Sequence, residues 1–277
     1  LAAAMLCAFA SGAQETDAMK LPAQLAGAFA ITALCTRDVS SMIGLARETV
    51  TKISDFTAQL LPVLSSSLAA SGGSVSAGTL LAGGSFAMSF LTKLASGVLI
   101  PLVYVYILLS AAECATDGGG LGKIRALGGR AISLLIKGLC AVFTAYLSLS
   151  RVLTGSADAF ALKAAQAAFS GMVPVVGSML SDASESLLAS AGLIRSAAGA
   201  FGILAVISMA IVPFLRLGAY YLALKLAGAI GEGAVMKPHA ALLSNLASAM
   251  GYMLAIAASA LWMSLVSAAC FLKAVNG

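Results

Sequence analysis

An all-α, polytopic integral membrane protein with an inverted internal repeat and broken or re-entrant helices is the fold class this sequence predicts, on three observations. Hydrophobic residues make up 60% of the 277 positions and charged residues 10%, with a mean hydropathy of +1.01, well outside the balance of a soluble domain. No charge falls between Asp55 and Lys93, yet a helix over those 37 residues would extend about 55 Å, nearly twice the hydrocarbon thickness of a bilayer. That run has to fold back, and Gly72-Gly73 is where glycine's backbone freedom and poor helix propensity let it do so. Finally, two proline-centred segments recur at a single offset along the chain.

In order, residues 1–13 are apolar but too short to cross a bilayer. They read either as a signal-peptide core, with Ala8-Phe9-Ala10 as a cleavage-like site but no positively charged leader, or as a shortened first membrane helix, which is the expectation adopted. A polar loop over 13–20 leads to an uncharged stretch, 21–36, that forms a thin span ended by Arg37-Asp38. Residues 44–59 place Arg47, Glu48, Lys52 and Asp55 between Ile43, Leu45, Val50, Ile53 and Phe56, the pattern of an amphipathic helix at the membrane surface. It feeds the Ser71-Gly72-Gly73 hairpin, whose second arm reaches Lys93.

Residues 94–112 are an uncharged span containing Pro101, tolerated because neighbouring helices satisfy the freed carbonyl. Gly118-Gly119-Gly120 makes a loop, followed by Lys123, Arg125, Arg130 and Lys137. This densest basic cluster belongs on the cytoplasmic side, and 131–150 crosses back with Lys137 snorkelling to the same interface. Residues 156–170 are again amphipathic, 171–180 apolar around Pro174, and Ser181-Asp182-Ala183-Ser184-Glu185-Ser186 interrupts. Uncharged stretches at 196–215, with Pro213, and at 217–230 follow, and 240–272 is long enough for a tilted span.

Pro62 and Pro174 lie 112 residues apart, as do Pro101 and Pro213, and their neighbours agree: Leu61-Pro62-Val63 with Val173-Pro174-Val175, Ile100-Pro101-Leu102 with Val212-Pro213-Phe214. A duplication follows, giving N-terminal membrane segments at 1–37, one repeat at 38–150, and a second repeat with a C-terminal helix at 151–277. Coincidence in an Ala/Leu/Ser-rich chain is the alternative. An odd number of crossings per copy makes the copies inverted, an architecture of transporters whose breaks meet near the midplane. The offset sets the neutral tip Ser71, Gly72, Gly73 against the acidic tip Ser181, Asp182, Ser184, Glu185. Carboxylates beside apolar segments need water, a cation or a partner. The second tip is thus either the lining of a polar path or a solvated loop in which Ser181 or Asp182 caps the next helix. Pro62, Pro101, Pro174 and Pro213 are the hinge candidates.

The net charge of +5 comes with 6% aromatic residues and no long basic run. It sets topology, and nucleic-acid binding is excluded. Cys7, Cys35, Cys114, Cys140 and Cys270 lack CxxC spacing and read as packing residues; His239 is the only histidine, which rules out multi-histidine zinc sites. Arg195 and Arg216 flank a span as interfacial anchors. No Walker motif, catalytic triad, HExxH or haem signature occurs, and Gly118-Gly119-Gly120 with Lys123 lacks the P-loop ending. No catalytic residue, cofactor or metal is expected, and the chain is not expected to be an enzyme.

The segment from Leu60-Leu61-Pro62-Val63-Leu64 to Ser71-Gly72-Gly73-Ser74-Val75-Ser76-Ala77 resembles the signature of the stage III sporulation protein AE family. So do Val173-Pro174-Val175-Val176-Gly177-Ser178-Met179-Leu180-Ser181-Asp182-Ala183, Ser190-Ala191-Gly192-Leu193-Ile194-Arg195, the tract from Pro213 to Ile230 and the long final helix. Where the family pattern has a further proline after the Ser-Gly-Gly break, this chain has Leu81-Ala82-Gly83-Gly84. The resemblance implies a mother-cell membrane protein of endospore formers, the membrane core of a trans-envelope channel-like complex built from stage III sporulation proteins AA to AH with stage II sporulation protein Q in the forespore. It also implies a longer N-terminal region in family members and carries no catalytic residues. A stand-alone small-molecule permease and a non-transporting scaffold are the alternatives. The lipid bilayer and further copies of the chain complete the expected partners.

Overall fold

Ala, Leu, Ser and Gly are the commonest residues of the chain, and helix runs through nearly all of the described residues. The computed structural model describes residues 17–115, 119–172, 177–233 and 237–273. Among them the elements are α1 (Asp17–Ala70), α2 (Ser74–Leu94), a π-helical segment (Ala95–Leu99), α3 (Ile100–Ala115), α4 (Gly119–Met172), α5 (Gly177–Gly233) and α6 (Lys237–Lys273), with no strand. The all-helical class is thus present. Among the described residues four stretches are long and apolar enough to cross a membrane: Ser74–Cys114, Gly120–Ser150, Gly192–Gly231 and Ala240–Leu272.

The helices are longer than the sequence reading allowed. α1 does not stop at Arg37-Asp38 but runs 54 residues, about 81 Å at 1.5 Å per residue. Charged residues are adequate helix formers, and Asp38, Arg47, Glu48, Lys52 and Asp55 all sit on exposed positions, so they interrupt nothing. The buried positions Val39, Ile43, Ala46, Val50, Ile53, Thr57, Leu60 and Leu64 alternate steps of four and three, the spacing of a coiled-coil seam. Amphipathicity over 44–59 is therefore present, although Leu45 and Phe56 flank the seam, half-buried.

Lys93 likewise ends nothing, because the long side chain of an exposed lysine extends outward while the backbone continues helically. The disturbance lies just beyond it. Ile100 donates its N–H to the Ala95 carbonyl, five residues back, immediately before Pro101. Pro101 has no N–H to give, and its ring would press on the carbonyl four residues earlier in a regular α-helix; the widened turn absorbs both problems.

The chain divides into two compact units. One comprises Leu1–Val50, Lys93–Lys137 and Ile211–Ala258; the other comprises Thr51–Thr92, Gly138–Ala210 and Ser259–Gly277. Each draws on both halves of the sequence. In the first, Leu99, Val103, Ile132, Leu217, Met250 and Met253 are fully covered; in the second, Ile53, Leu61, Leu64, Leu80, Leu91 and Phe271 are. The apolar window of α6 is half buried, against a fifth to a third for the other three stretches. Those three instead carry outward-facing side chains such as Phe86, Leu108, Leu134, Val142, Phe201 and Leu215. Contiguous exposed apolar surface of this kind is disfavoured in water and ordinary against lipid.

Candidate functional sites: the Ser-Gly-Gly turn and an arginine cluster

The reversal expected at Gly72-Gly73 is present, and its hydrogen bonds explain its sharpness. Gly73 N–H donates to Leu68 O and Gly72 N–H to Ala69 O, both at 3.1 Å. Gly72 adopts φ 93°. This is a Schellman ending, which closes the orphan carbonyls of a helix around one left-handed residue. Ala77 N–H then donates to Gly73 O at 2.8 Å, so one glycine ends α1 and its neighbour opens α2.

Hydroxyls concentrate around this hairpin. Ser65 Oγ donates to Ala77 O at 3.2 Å and ties α1 to α2. Ser71, 6% exposed, donates to Ser67 O at 2.8 Å. Deeper in the unit, Thr57 donates to Ile53 O at 2.6 Å, which leaves Ser264 as the donor in the 2.7 Å Thr57–Ser264 bond joining α1 to α6. Small hydroxylated residues let helices approach while satisfying each other's polar atoms.

The second predicted tip sits differently. Residues 181–186 are helical, close to the start of α5, and the helix boundary lies upstream, between Met172 and Gly177. The run occupies the fifth to tenth positions of α5, where serine, aspartate and glutamate cost at most about 0.7 kcal/mol each relative to alanine, so it does not break the helix. The side chains of Ser181, Asp182, Ser184 and Glu185 lie outside the described residues, as does Pro174. Both tips fall within one compact unit. Pro62 is exposed inside an uninterrupted α1, Pro101 is exposed after the π segment, and Pro213 is half-buried inside α5.

A polar cluster that sequence reasoning did not assemble lies in the other unit. Arg125 Nε donates to Glu113 Oε2 at 2.6 Å, and Arg125 Nη1 donates to the Tyr106 hydroxyl at 3.0 Å. Tyr106, 4% exposed, meets Tyr252 edge-on with ring centroids 5.3 Å apart, and the Arg125 guanidinium carbon lies 5.6 Å from the Tyr106 ring centre. Two glycines on α4 make room: a Cβ at Gly122 would collide with Glu113 Oε1, and one at Gly129 with the Tyr252 hydroxyl. The sequence signal was opposite charges flanking Gly118-Gly119-Gly120, where two antiparallel helices bring them together. The arrangement is an anchored ion pair that locks α3, α4 and α6 by side-chain contact; it holds no nucleophile with an adjacent base. Among the described residues no three His, Cys, Asp or Glu side chains converge as a metal site.

Comparison with known proteins adds the following. A family model described as stage III sporulation protein AE matches residues 1–274. The chain is similar to the stage III sporulation protein AE of Bacillus subtilis (strain 168), with 27% identity over 191 residues, 68% of this chain and 47% of that protein. The chain thus matches about half the length of this curated relative. No solved structure matches.

Proposed function

The chain belongs to the stage III sporulation protein AE family, and from that premise we propose that it is the membrane core of a channel-like complex between mother cell and forespore, supporting forespore development. Its place is the mother-cell membrane around the forespore, crossed several times. Its partners are the other stage III sporulation proteins AA to AH and, through them, stage II sporulation protein Q. The observation carrying this reading is the family match over residues 1–274 on a chain whose described residues include four stretches long and apolar enough to cross a membrane.

The finer mechanism is a polar path lined by Ser71, Gly72, Gly73 and by Ser181, Asp182, Ser184, Glu185, gated by the proline-bearing helices. Their location in one compact unit supports it. The finer architecture is a duplication in which 38–150 is one copy and 151–277 holds the second with a C-terminal helix, and an odd number of crossings in each copy makes the two inverted. Cysteines at Gly72 and Ser184 in a cysteine-free background, labelled from each side, test this. Labelling from opposite sides supports inverted copies with plain loops, and slow labelling of both through an aqueous path supports opposed re-entrant tips.

The decisive experiment replaces Asp182→Asn with Glu185→Gln and reads forespore gene expression together with complex assembly. Reduced expression with normal assembly is the expected result, whereas full expression sinks the path. One observation favours a second reading, a scaffold that moves nothing: Ser71 is buried and its proton is engaged by the Ser67 carbonyl. Under that reading, substitutions on the exposed face at Arg47, Glu48, Lys52 and Asp55 abolish assembly and the tip substitutions are silent. A permease working alone would purify in mild detergent without partners.

A further inference from the structure

On α4, Lys123, Arg130 and Lys137 are exposed and spaced seven residues apart, which keeps them within a narrow stripe of a helix. Beside them run Ile124, Leu127 and Leu134, 58%, 66% and 73% exposed. The opposite face of the same segment carries the covered residues: Gly129, Ile132, Ile136 and the engaged Arg125. From Gly119 as far as Ala157, α4 contains no aspartate or glutamate, so its own surface offers these cations no acidic neighbour. A row of exposed leucines edged by a row of cations has one matching environment in the setting already argued for this chain, the headgroup boundary of an anionic bilayer.

We propose that Lys123, Arg130 and Lys137 bind the phosphates of anionic phospholipids while Ile124, Leu127 and Leu134 enter the acyl region beside them. The proposal rests on the membrane reading above and adds a lipid class and the residues that select it. It also constrains geometry. Fourteen residues separate Lys123 from Lys137, a rise of about 21 Å, whereas one headgroup layer is only about 5–8 Å deep. The three cations therefore reach phosphates together where this segment runs oblique to the bilayer normal, with the long lysine stems making up part of the difference.

The experiment uses the full chain reconstituted in phosphatidylcholine bilayers with trace spin-labelled phosphatidylglycerol or phosphatidylcholine, reading the motionally restricted fraction by electron paramagnetic resonance. The wild type should select phosphatidylglycerol, and K123Q/R130Q/K137Q should lose that selectivity by about fivefold or more. The charge-preserving K123R/R130K/K137R should keep it, as should K93Q/K225Q, which removes two exposed cations elsewhere. Equal selectivity in wild type and the glutamine triple, or equal loss in K93Q/K225Q, overturns the proposal. So does retained lipid selectivity combined with loss of a co-purifying protein, which would make the stripe a protein-docking face. Resistance of the wild type to carbonate extraction reports membrane integration separately, so failure of the membrane reading is distinguishable from failure of this one.

Discussion

Removing either partner of the Glu113–Arg125 pair should loosen the α3–α4 end of its unit by an amount that the geometry sets. The bond is 2.6 Å, with the arginine side chain 20% and the glutamate side chain 31% exposed. A solvated ion pair contributes about 0–1 kcal/mol and a protected hydrogen bond to a charge about 1.5–3 kcal/mol; partial exposure puts this one between, at about 1–2 kcal/mol. Glu113→Gln keeps the shape and a weaker bond, so its cost lies near the lower figure. Arg125→Met costs more, about 2–3 kcal/mol, because it also strips the buried Tyr106 hydroxyl of its donor and removes a cation–π contact. Cys114, next in sequence, has a buried thiol at 7% exposure and is a local reporter once the other four cysteines are alanine. Maleimide labelling across an SDS titration in mild detergent should show the opening equilibrium rise about fivefold for Glu113→Gln and thirtyfold or more for Arg125→Met. The double variant should cost less than the sum by about 1 kcal/mol. Additivity within about 0.3 kcal/mol would refute the claim that the two residues act as a pair.

Three further outcomes follow from the same geometry. Gly72→Ala places a side chain at φ 93° and should destabilise by about 1–2 kcal/mol, whereas Gly78→Ala, with open space around the new methyl, should be neutral or gain up to about 1 kcal/mol; equal SDS midpoints for the two would count against the Schellman turn. Thr57→Val and Ser264→Ala should each cost about 0.6–1.7 kcal/mol and be non-additive, as a double-mutant cycle measures. Gly228→Val drives a Cβ towards the Ser244 nitrogen, 3.2 Å away, and the Ala240 oxygen, 3.3 Å away. Both are backbone atoms that cannot swing aside, so a loss of about 1–3 kcal/mol is expected, and an unchanged midpoint would show that α5 and α6 are not in close contact there.

What the sequence revealed depended on how local the cause was. The turn at Gly72-Gly73 was legible because one residue type supplies the required backbone angle. The amphipathic nature of 44–59 was legible from periodicity, though the seam through Ala46 and Thr57 was not, since neither reads as a core residue. Arg37-Asp38, Lys93 and the run from Ser181 to Ser186 read as boundaries on the premise that charge marks exit from a membrane. All three lie inside helices, because charged and hydroxylated residues are adequate helix formers and Asp38 and Lys93 occupy exposed positions. The proline offset of 112 also failed to transfer to the element ends: α2 starts at Ser74 and α5 at Gly177, 103 apart. The arginine cluster was illegible for a different reason. Tyr252 is 127 residues from Arg125 in the chain, and no local pattern announces a partner at that distance.

The widened turn ahead of Pro101 does more than accommodate a missing donor. Buried positions run Leu91, Ala95, Leu99, Val103, three consecutive steps of four, where a regular helix would drift by about 40° at each step. The extra residue acts as a phase corrector: it resets the angular count so that Leu99 and Val103 keep to the face on which Ala95 is buried. Deleting one residue between Ala95 and Leu99 would leave a more regular helix and turn Ala95 about 100° away from the face that Leu99 and Val103 share, so the alignment of this buried row is written in the length of a five-residue segment as much as in the identity of any residue within it.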